Sequence, residues 1–225
     1  MFAVIFEVQP KRERREDYLG LAKDLKPELE NIDGFLSNER FASTRRDGLL
    51  LSLSIWRDEK AVVRWRTLRL HHATQEKGRS EIFEDYHLRV GEITEDSQSP
   101  PNRIDLGQRF DATEIGAAKA VTISEFSPPK GAKLASRELA ETLRPPKVGR
   151  SGVIDQETFE SITAPGKLLL LVSWRDGDAA DRWTPRIPAE GALRHRQVRI
   201  IRDYGMFDRR EAPQYYPDVE RKSDG

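Results

Sequence analysis

From Phe2 to Val8 apolar residues alternate: Phe2, Val4, Phe6 and Val8 face one way, Ala3, Ile5 and Glu7 the other. A two-residue period predicts a strand, and Pro10 ends it. Between Lys11 and about Ile32 the period lengthens. Tyr18, Leu21, Ala22, Leu25, Leu29 and Ile32 recur at helical spacing, with Pro27 expected to break or kink the helix in its last third. Asp33-Gly34 stops it. Phe35 to Ser43 predicts strand two, Arg46-Asp47-Gly48 a hairpin turn, and Leu49 to Trp56 strand three. Asp58 suits the N-cap of a second helix that carries Ala61, Val62, Trp65 and Leu68 and runs to about Gly78-Arg79. Ser80 to Ile93, with Ile82, Tyr86, Leu88 and Val90, predicts strand four. The order βαββαβ is the ferredoxin-like plan.

The pattern then repeats. Leu49 to Trp65 and Lys167 to Trp183 each hold an apolar run, Trp-Arg-Asp, an Ala and Arg-Trp at identical spacing. On the same ungapped diagonal Glu7 meets Glu125, Leu21-Ala22, Leu25 and Pro27 meet Leu139-Ala140, Leu143 and Pro145, and Gly34 meets Gly152. Glu39, Phe41 and Gly48 meet Glu157, Phe159 and Gly166, and Asp85-Tyr86 meets Asp203-Tyr204. A repeat this long is a duplicated domain. Residues 1–95 form repeat one, 96–118 a linker rich in Ser, Pro, Asp and Gly, 119–210 repeat two, and 211–225 a tail expected on the surface.

Strand three tells how the repeats meet. In repeat two both its faces are almost wholly apolar; in repeat one only Ser52 and Ser54 interrupt one face. A strand apolar on both faces is covered on both. Helices cover one side of a ferredoxin-like sheet, so the other side meets the other repeat. The fold class expected is therefore α+β: two tandem repeats closing a barrel inside one chain, from which a homo-oligomer of whole barrels can still be built.

Composition narrows the function. Lys+Arg and Asp+Glu are both 38, so the formal charge is zero. Nucleic-acid binding wants a basic excess, so no nucleic-acid partner is expected. No apolar run approaches a membrane span, and Met1 leads straight into a strand, so neither a membrane segment nor a signal peptide is expected. Cysteine is absent, which removes disulfides and thiolate chemistry. A cytoplasmic protein is the natural expectation. No His/Asp/Glu set has metal-ligand spacing.

Repeat one carries Trp56-Arg57, Ala61, Trp65-Arg66, His71, Gln75, Gly78-Arg79, Phe83, Asp85-Tyr86 and Leu88-Arg89-Val90. This series resembles the antibiotic biosynthesis monooxygenase family, whose members form dimeric α+β barrels. Repeat two keeps the scaffold but places Ala189, Leu193 and Arg196 opposite His71, Gln75 and Gly78. The resemblance implies an oxygenase that uses no cofactor, takes a small aromatic, polyketide or quinol-like compound, and uses O₂. Other members degrade haem, with an Asn on strand one beside a Trp and a His; here Trp65 and His71 are present but Glu7 stands on strand one. A non-catalytic small-molecule binder on the same barrel, or a haem-binding protein, are the alternatives. His195 has no haem-ligand motif around it.

In the cofactor-free reading an acidic substrate loses a proton and its carbanion reduces O₂. His71, with an ordinary pKa near 6.5, suits the base; otherwise it packs between helices. Its neighbour His72 is expected in solvent. Glu7 is the second catalytic candidate, as a mid-strand carboxylate, against an ion pair with an Arg of a facing strand, which its recurrence as Glu125 favours. Trp65, Trp56, Asn38, Tyr86 and Gln75 are the candidate pocket residues. Trp174 and Trp183 recur where the His is lost, which argues that Trp56 and Trp65 are scaffold. Asn38 would donate to a substrate oxygen. An open cavity is expected in repeat one, with His71 facing it, and a filled core in repeat two, where Leu170 and Val172 replace Ser52 and Ser54.

Overall fold

The computed structural model describes residues 1–98, 111–129, 146–186 and 190–219. Repeat one supplies strands β1 (Phe2–Pro10), β2 (Phe35–Ser43), β3 (Leu50–Trp56) and β4 (Phe83–Asp96). Repeat two supplies β5 (Ala120–Ser127), β6 (Val153–Ser161), β7 (Leu168–Trp174) and β8 (Ala192–Gly205). They close an antiparallel barrel in the order β1-β3-β2-β6-β7-β5-β8-β4. Each half keeps the ferredoxin-like strand order, and two seams join the halves. One is short, Phe41–Ser43 against Phe159–Ser161; the other is long, His87–Asp96 against Arg196–Gly205. The barrel is thus made within one chain of two tandem ferredoxin-like repeats.

One face of each sheet fills the interior. Ala3, Ile5, Leu51, Leu53 and Ile55 meet Val121, Ile123, Leu169, Leu171, Val198 and Ile200, with Phe41 and Phe159 at the short seam. An eight-stranded barrel is narrow enough for side chains to fill it. Each such side chain contributes on the order of 1.5–3 kcal/mol by leaving water. The charged inward residues are paired. Glu7 binds Arg89, whose Nη1 donates to Ser173 Oγ at 2.7 Å. Glu125 binds Arg196, and Lys167 Nζ lies 2.8 Å from it.

The duplicated glycines have a steric reason. Gly34 and Gly152 adopt φ +92° and +86°, and a Cβ there would lie 2.7 Å from Ala61 Cβ and 2.6 Å from Ala179 Cβ. The Gly and Ala positions therefore recur together. Asp58 and Asp176 cap the helices that follow. Their carboxylates accept from the N–H of Ala61 at 2.8 Å and of Ala179 at 2.7 Å.

The helices depart from the sequence pattern in three places. The first is not continuous: a 3₁₀ turn at Arg12–Arg14 leads into α1 (Arg15–Asp24), and Leu25 separates it from α2 (Lys26–Glu30). Pro27 lies in the first turn of α2, where its missing N–H costs nothing. The second helix is split into α3 (Glu59–Thr67) and α4 (Arg69–Lys77) by Leu68, whose backbone is extended. β4 starts at Phe83 and not at Ser80, because Gly78–Ile82 forms a π turn. A Cβ on Gly78 would sit 2.5 Å from the Phe83 ring, so glycine lets that ring fold back over the turn.

In repeat two the corresponding helix, α5 (Gly177–Asp181), is a single short turn. Pro185 follows closely and cannot continue a helix. Ala192–His195 already belong to β8, whereas their repeat-one counterparts, Thr74–Lys77, are helical. The outer face of this repeat is packed by Phe126, Leu168, Leu170, Val172, Trp174, Ala179, Ala180 and Trp183. Ala189, the first-helix matches Leu139, Ala140, Leu143 and Pro145, and residues 99–110 of the expected linker lie outside the described residues, as do 220–225 of the tail.

Candidate active site

A cavity of about 390 Å³ lies on the outer face of the repeat-one sheet. Strand register lays out its floor. Asn38, Ser54, Val4, Val90 and Arg202 form one row across β2, β3, β1, β4 and β8; Arg40, Ser52, Phe6, Leu88 and Tyr204 form the next. The floor is apolar in the middle and polar at both ends. Tyr18 and Leu21 of α1, Leu29 of α2 and Leu25 between them, with Val62, Trp65, His71 and Gln75 of α3 and α4, form the roof.

The third wall comes from the far end of the chain. After β8 the tail turns back, and Arg209, Pro213, Gln214 and Tyr216 line the cavity. Gln214 Nε2 donates to the Arg66 carbonyl at 2.8 Å, and the Tyr216 hydroxyl donates to Gln75 Oε1 at 2.8 Å. Arg79 Nη2 donates to the Pro217 carbonyl at 3.2 Å. Glu211 anchors the tail's start by accepting from the N–H groups of Glu114, Ile115 and Asp203. The tail is a wall of the cavity as well as a surface segment.

His71 lines this cavity with its ring stacked on Trp65, centroids 4.1 Å apart. Its Nδ1 lies 3.1 Å from the Trp65 carbonyl oxygen. A carbonyl only accepts, so Nδ1 carries the hydrogen and Nε2 keeps the lone pair. The break at Leu68 lets a side chain six residues on reach back to that carbonyl. Burial pushes the His71 pKa down to about 4, against the opposing effect of the hydrogen bond that Nδ1 donates to the Trp65 carbonyl. The imidazole is therefore neutral at physiological pH. His72 is exposed on α4, its ring 5.1 Å from that of Tyr216.

Asn38, Tyr86 and Gln75 also line the cavity. Asn38 Nδ2 is already used, donating to Ser52 Oγ at 3.0 Å and to the Leu53 carbonyl at 3.2 Å. It can offer a ligand its Oδ1 acceptor and not the donor expected from sequence. The Tyr86 hydroxyl accepts from Arg79 Nη1 at 2.7 Å and from Arg209.

Two candidates sit elsewhere. Trp56 is fully buried on the same face of β3 as Ser54 but outside the cavity, packed with Phe2, Leu29, Ala61 and Val62, its Nε1 donating to Ser54 Oγ at 2.9 Å; Trp174 makes the same kind of bond to Thr122 Oγ1 at 2.9 Å. Glu7 points to the barrel interior, the opposite face of β1 from Val4 and Phe6, and is held by Arg89. Side chains alternate across a strand, so Glu7 and His71 cannot meet one substrate. Among the described residues no group of three or more His, Cys, Asp or Glu could hold a metal ion, and no helix is long and apolar enough to cross a membrane.

Sequence reasoning passed over Arg40, Arg66, Arg79, Arg209, Gln214 and Tyr216 as pocket residues, all in the cavity lining. Arg66 and Arg79 did stand inside the motif series, as the residues after Trp65 and Gly78. The tail residues carried no local signal, since their role depends on where the chain returns.

Comparison with known proteins agrees with this architecture. Residues 1–77 match the family described as antibiotic biosynthesis monooxygenase. The chain is 43% identical over 223 residues to a Pyricularia oryzae protein named jasmonate monooxygenase ABM, covering 96% of this chain and 99% of that one. In fold it is similar to a crystal structure of aldoxime dehydratase, with TM-score 0.55 at 12% identity over 88% of this chain and 80% of that one. The chain belongs to the antibiotic biosynthesis monooxygenase family.

Proposed function

We propose that this protein is a monooxygenase acting in the repeat-one cavity on a small apolar ketone that carries a carboxylate, jasmonate being the first candidate. The observation that carries this reading is His71: neutral, held by Trp65, with a basic Nε2 in a largely apolar cavity. The cavity's volume falls in the range of small-molecule pockets, roughly 300–1,000 Å³. The P. oryzae relative is named for jasmonate, whose ring ketone makes the neighbouring C–H bonds acidic.

His71 Nε2 would take one such proton, leaving an enolate. The enolate passes an electron to O₂, the radical pair combines to a carbon-bound peroxide, and loss of water leaves a new carbonyl. One oxygen atom enters the product and the other leaves as water, with all four electrons supplied by the carbon that becomes the carbonyl. A His with a depressed pKa is a weak base on its own. The negative charge of bound substrate raises it again.

Purified protein incubated with jasmonic acid under oxygen-18-labelled O₂ should consume O₂ and yield a product with one labelled atom. No uptake with this acid, in protein shown to bind it, would defeat the reading and leave a binding protein. An aromatic or quinol-like substrate is the second reading. It is favoured by the ring cluster of Phe6, Tyr18, Phe83 and Tyr86, with centroids 5.6–6.1 Å apart.

A further inference from the structure

The cavity lining carries five arginines against one carboxylate, Glu59, and one of the five, Arg202, lies 3.6 Å from Asp111. Among the described residues none of the other four, Arg40, Arg66, Arg79 and Arg209, makes an ion pair with a carboxylate. Their partners are neutral. Arg79 donates to the Tyr86 hydroxyl and to the carbonyls of Met206 and Pro217; Arg209 donates to the Tyr86 hydroxyl and the Gln214 carbonyl. The Nε atoms of Arg40 and Arg66 are buried without any hydrogen-bond partner. Arg89 and Arg199 also have an unpartnered buried Nε, but each is neutralised at another nitrogen, by Glu7 and Glu92. Among the described residues Arg40 and Arg66 have no such carboxylate. In a chain whose formal charge is zero, this is a local excess that no carboxylate among the described residues pairs with.

The two ends differ. Arg40 and Tyr204 lie at opposite ends of one register row, four strand spacings apart, or roughly 19 Å of sheet. Arg40 is engaged with the Tyr18 hydroxyl. At the other end Arg66 and Arg209 both act electrostatically on Tyr204, and Arg209 stacks over its ring at 5.6 Å. Arg66 follows Trp65, the residue stacked on His71. An anion at this end would lie beside the base, with its apolar body over Phe6 and Leu88.

We propose that this end of the cavity is a carboxylate-binding subsite, and that Arg66 selects an apolar acid over its neutral ester. The guanidinium fork suits a carboxylate, and a charge-assisted hydrogen bond is about twice as strong as a neutral one. The inference deepens the oxygenase reading by naming the substrate class, but it predicts binding whether or not turnover follows.

The test is calorimetric titration of the full chain with jasmonic acid and methyl jasmonate, and with a naphthylacetic acid and its methyl ester. Both acids should bind about tenfold or more tighter than their esters, a difference of one charged contact. Arg66→Gln should remove that preference while leaving the esters' affinity unchanged, which also shows that the variant is folded. Arg66→Lys should keep part of it. Equal affinity for acid and ester in the native protein, no binding of either acid, or an Arg66→Gln variant that weakens acid and ester alike would each overturn the proposal. If the acids bind with the expected preference but jasmonate is not oxygenated, the oxygenase reading falls and the subsite stands. If jasmonate is oxygenated and its ester binds equally well, the reverse holds.

Discussion

His71 Nδ1 lies 3.1 Å from the carbonyl oxygen of Trp65, and the two rings stack at 4.1 Å. One residue thus fixes the tautomer of the other and its orientation. The Trp-x₅-His spacing works only because the helix breaks at Leu68.

Replacing this imidazole should cost rate far more than fold. His71→Ala is expected to lower turnover of an oxygenated substrate by roughly 10²–10⁴, with little change in melting temperature near neutral pH. Full activity of the variant in an O₂-uptake assay would remove His71 from the chemistry.

The same residue predicts an acid limb in stability. Its folded pKa, about 4, lies below the ordinary value of 6.5, so the unfolded chain binds the proton more readily. The contribution is present above about pH 6.5 and is lost as pH falls toward 4. Thermal melts over that window should fall less steeply for His71→Gln than for the native chain. Identical slopes would mean that the folded imidazole titrates normally.

Glu7→Gln should destabilise the protein while leaving ligand binding in the cavity intact. It leaves Arg89 charged and buried in the barrel interior, a loss of order 3–5 kcal/mol for a broken buried pair. Denaturant midpoints of Glu7→Gln and of Glu7→Gln with Arg89→Met would check this, the double variant recovering part of the loss. Loss of cavity binding in a folded Glu7→Gln protein would contradict the placement of Glu7 on the other face.

Ending the chain after Gln214 removes the Tyr216 bond to Gln75 and the carbonyl that Arg79 reaches. The cavity loses part of one wall, so KM or Kd should rise about tenfold, the equivalent of one or two hydrogen bonds. The melting temperature should move only slightly, because the barrel core is untouched. An unchanged Kd would show that the tail is not a binding element.

Gly78→Ala places a methyl group where the Phe83 ring now lies. Over-packing typically costs about 1–3 kcal/mol, and the displaced ring has the cavity to move into. Affinity for an apolar ligand should fall together with stability; a drop in stability alone would mean that the ring moves elsewhere.

The barrel was legible in the sequence because its causes are local and repeated. Alternation in strands one and three, the doubled Trp-Arg-Asp and the paired glycines and alanines each follow from strand period, capping or a close contact, and the duplication prints each twice. The fate of Glu7 was half legible: its recurrence as Glu125 pointed to an ion pair, but which arginine it meets depends on strand register.

The candidate site was legible only where it lies on one repeat. His71, Trp65 and Gln75 stood in a run of residues with recognisable spacing. Residues such as Arg209, Gln214 and Tyr216 did not, since only the return of the chain after β8 brings them over repeat one. Nor could sequence tell that Arg66 meets no carboxylate among the described residues while Arg89 meets Glu7, in a chain with as many acids as bases. Periodicity determines which residues are buried and in which element. Which charges are left uncompensated is decided by contacts between distant segments, and those exist only once the barrel has closed.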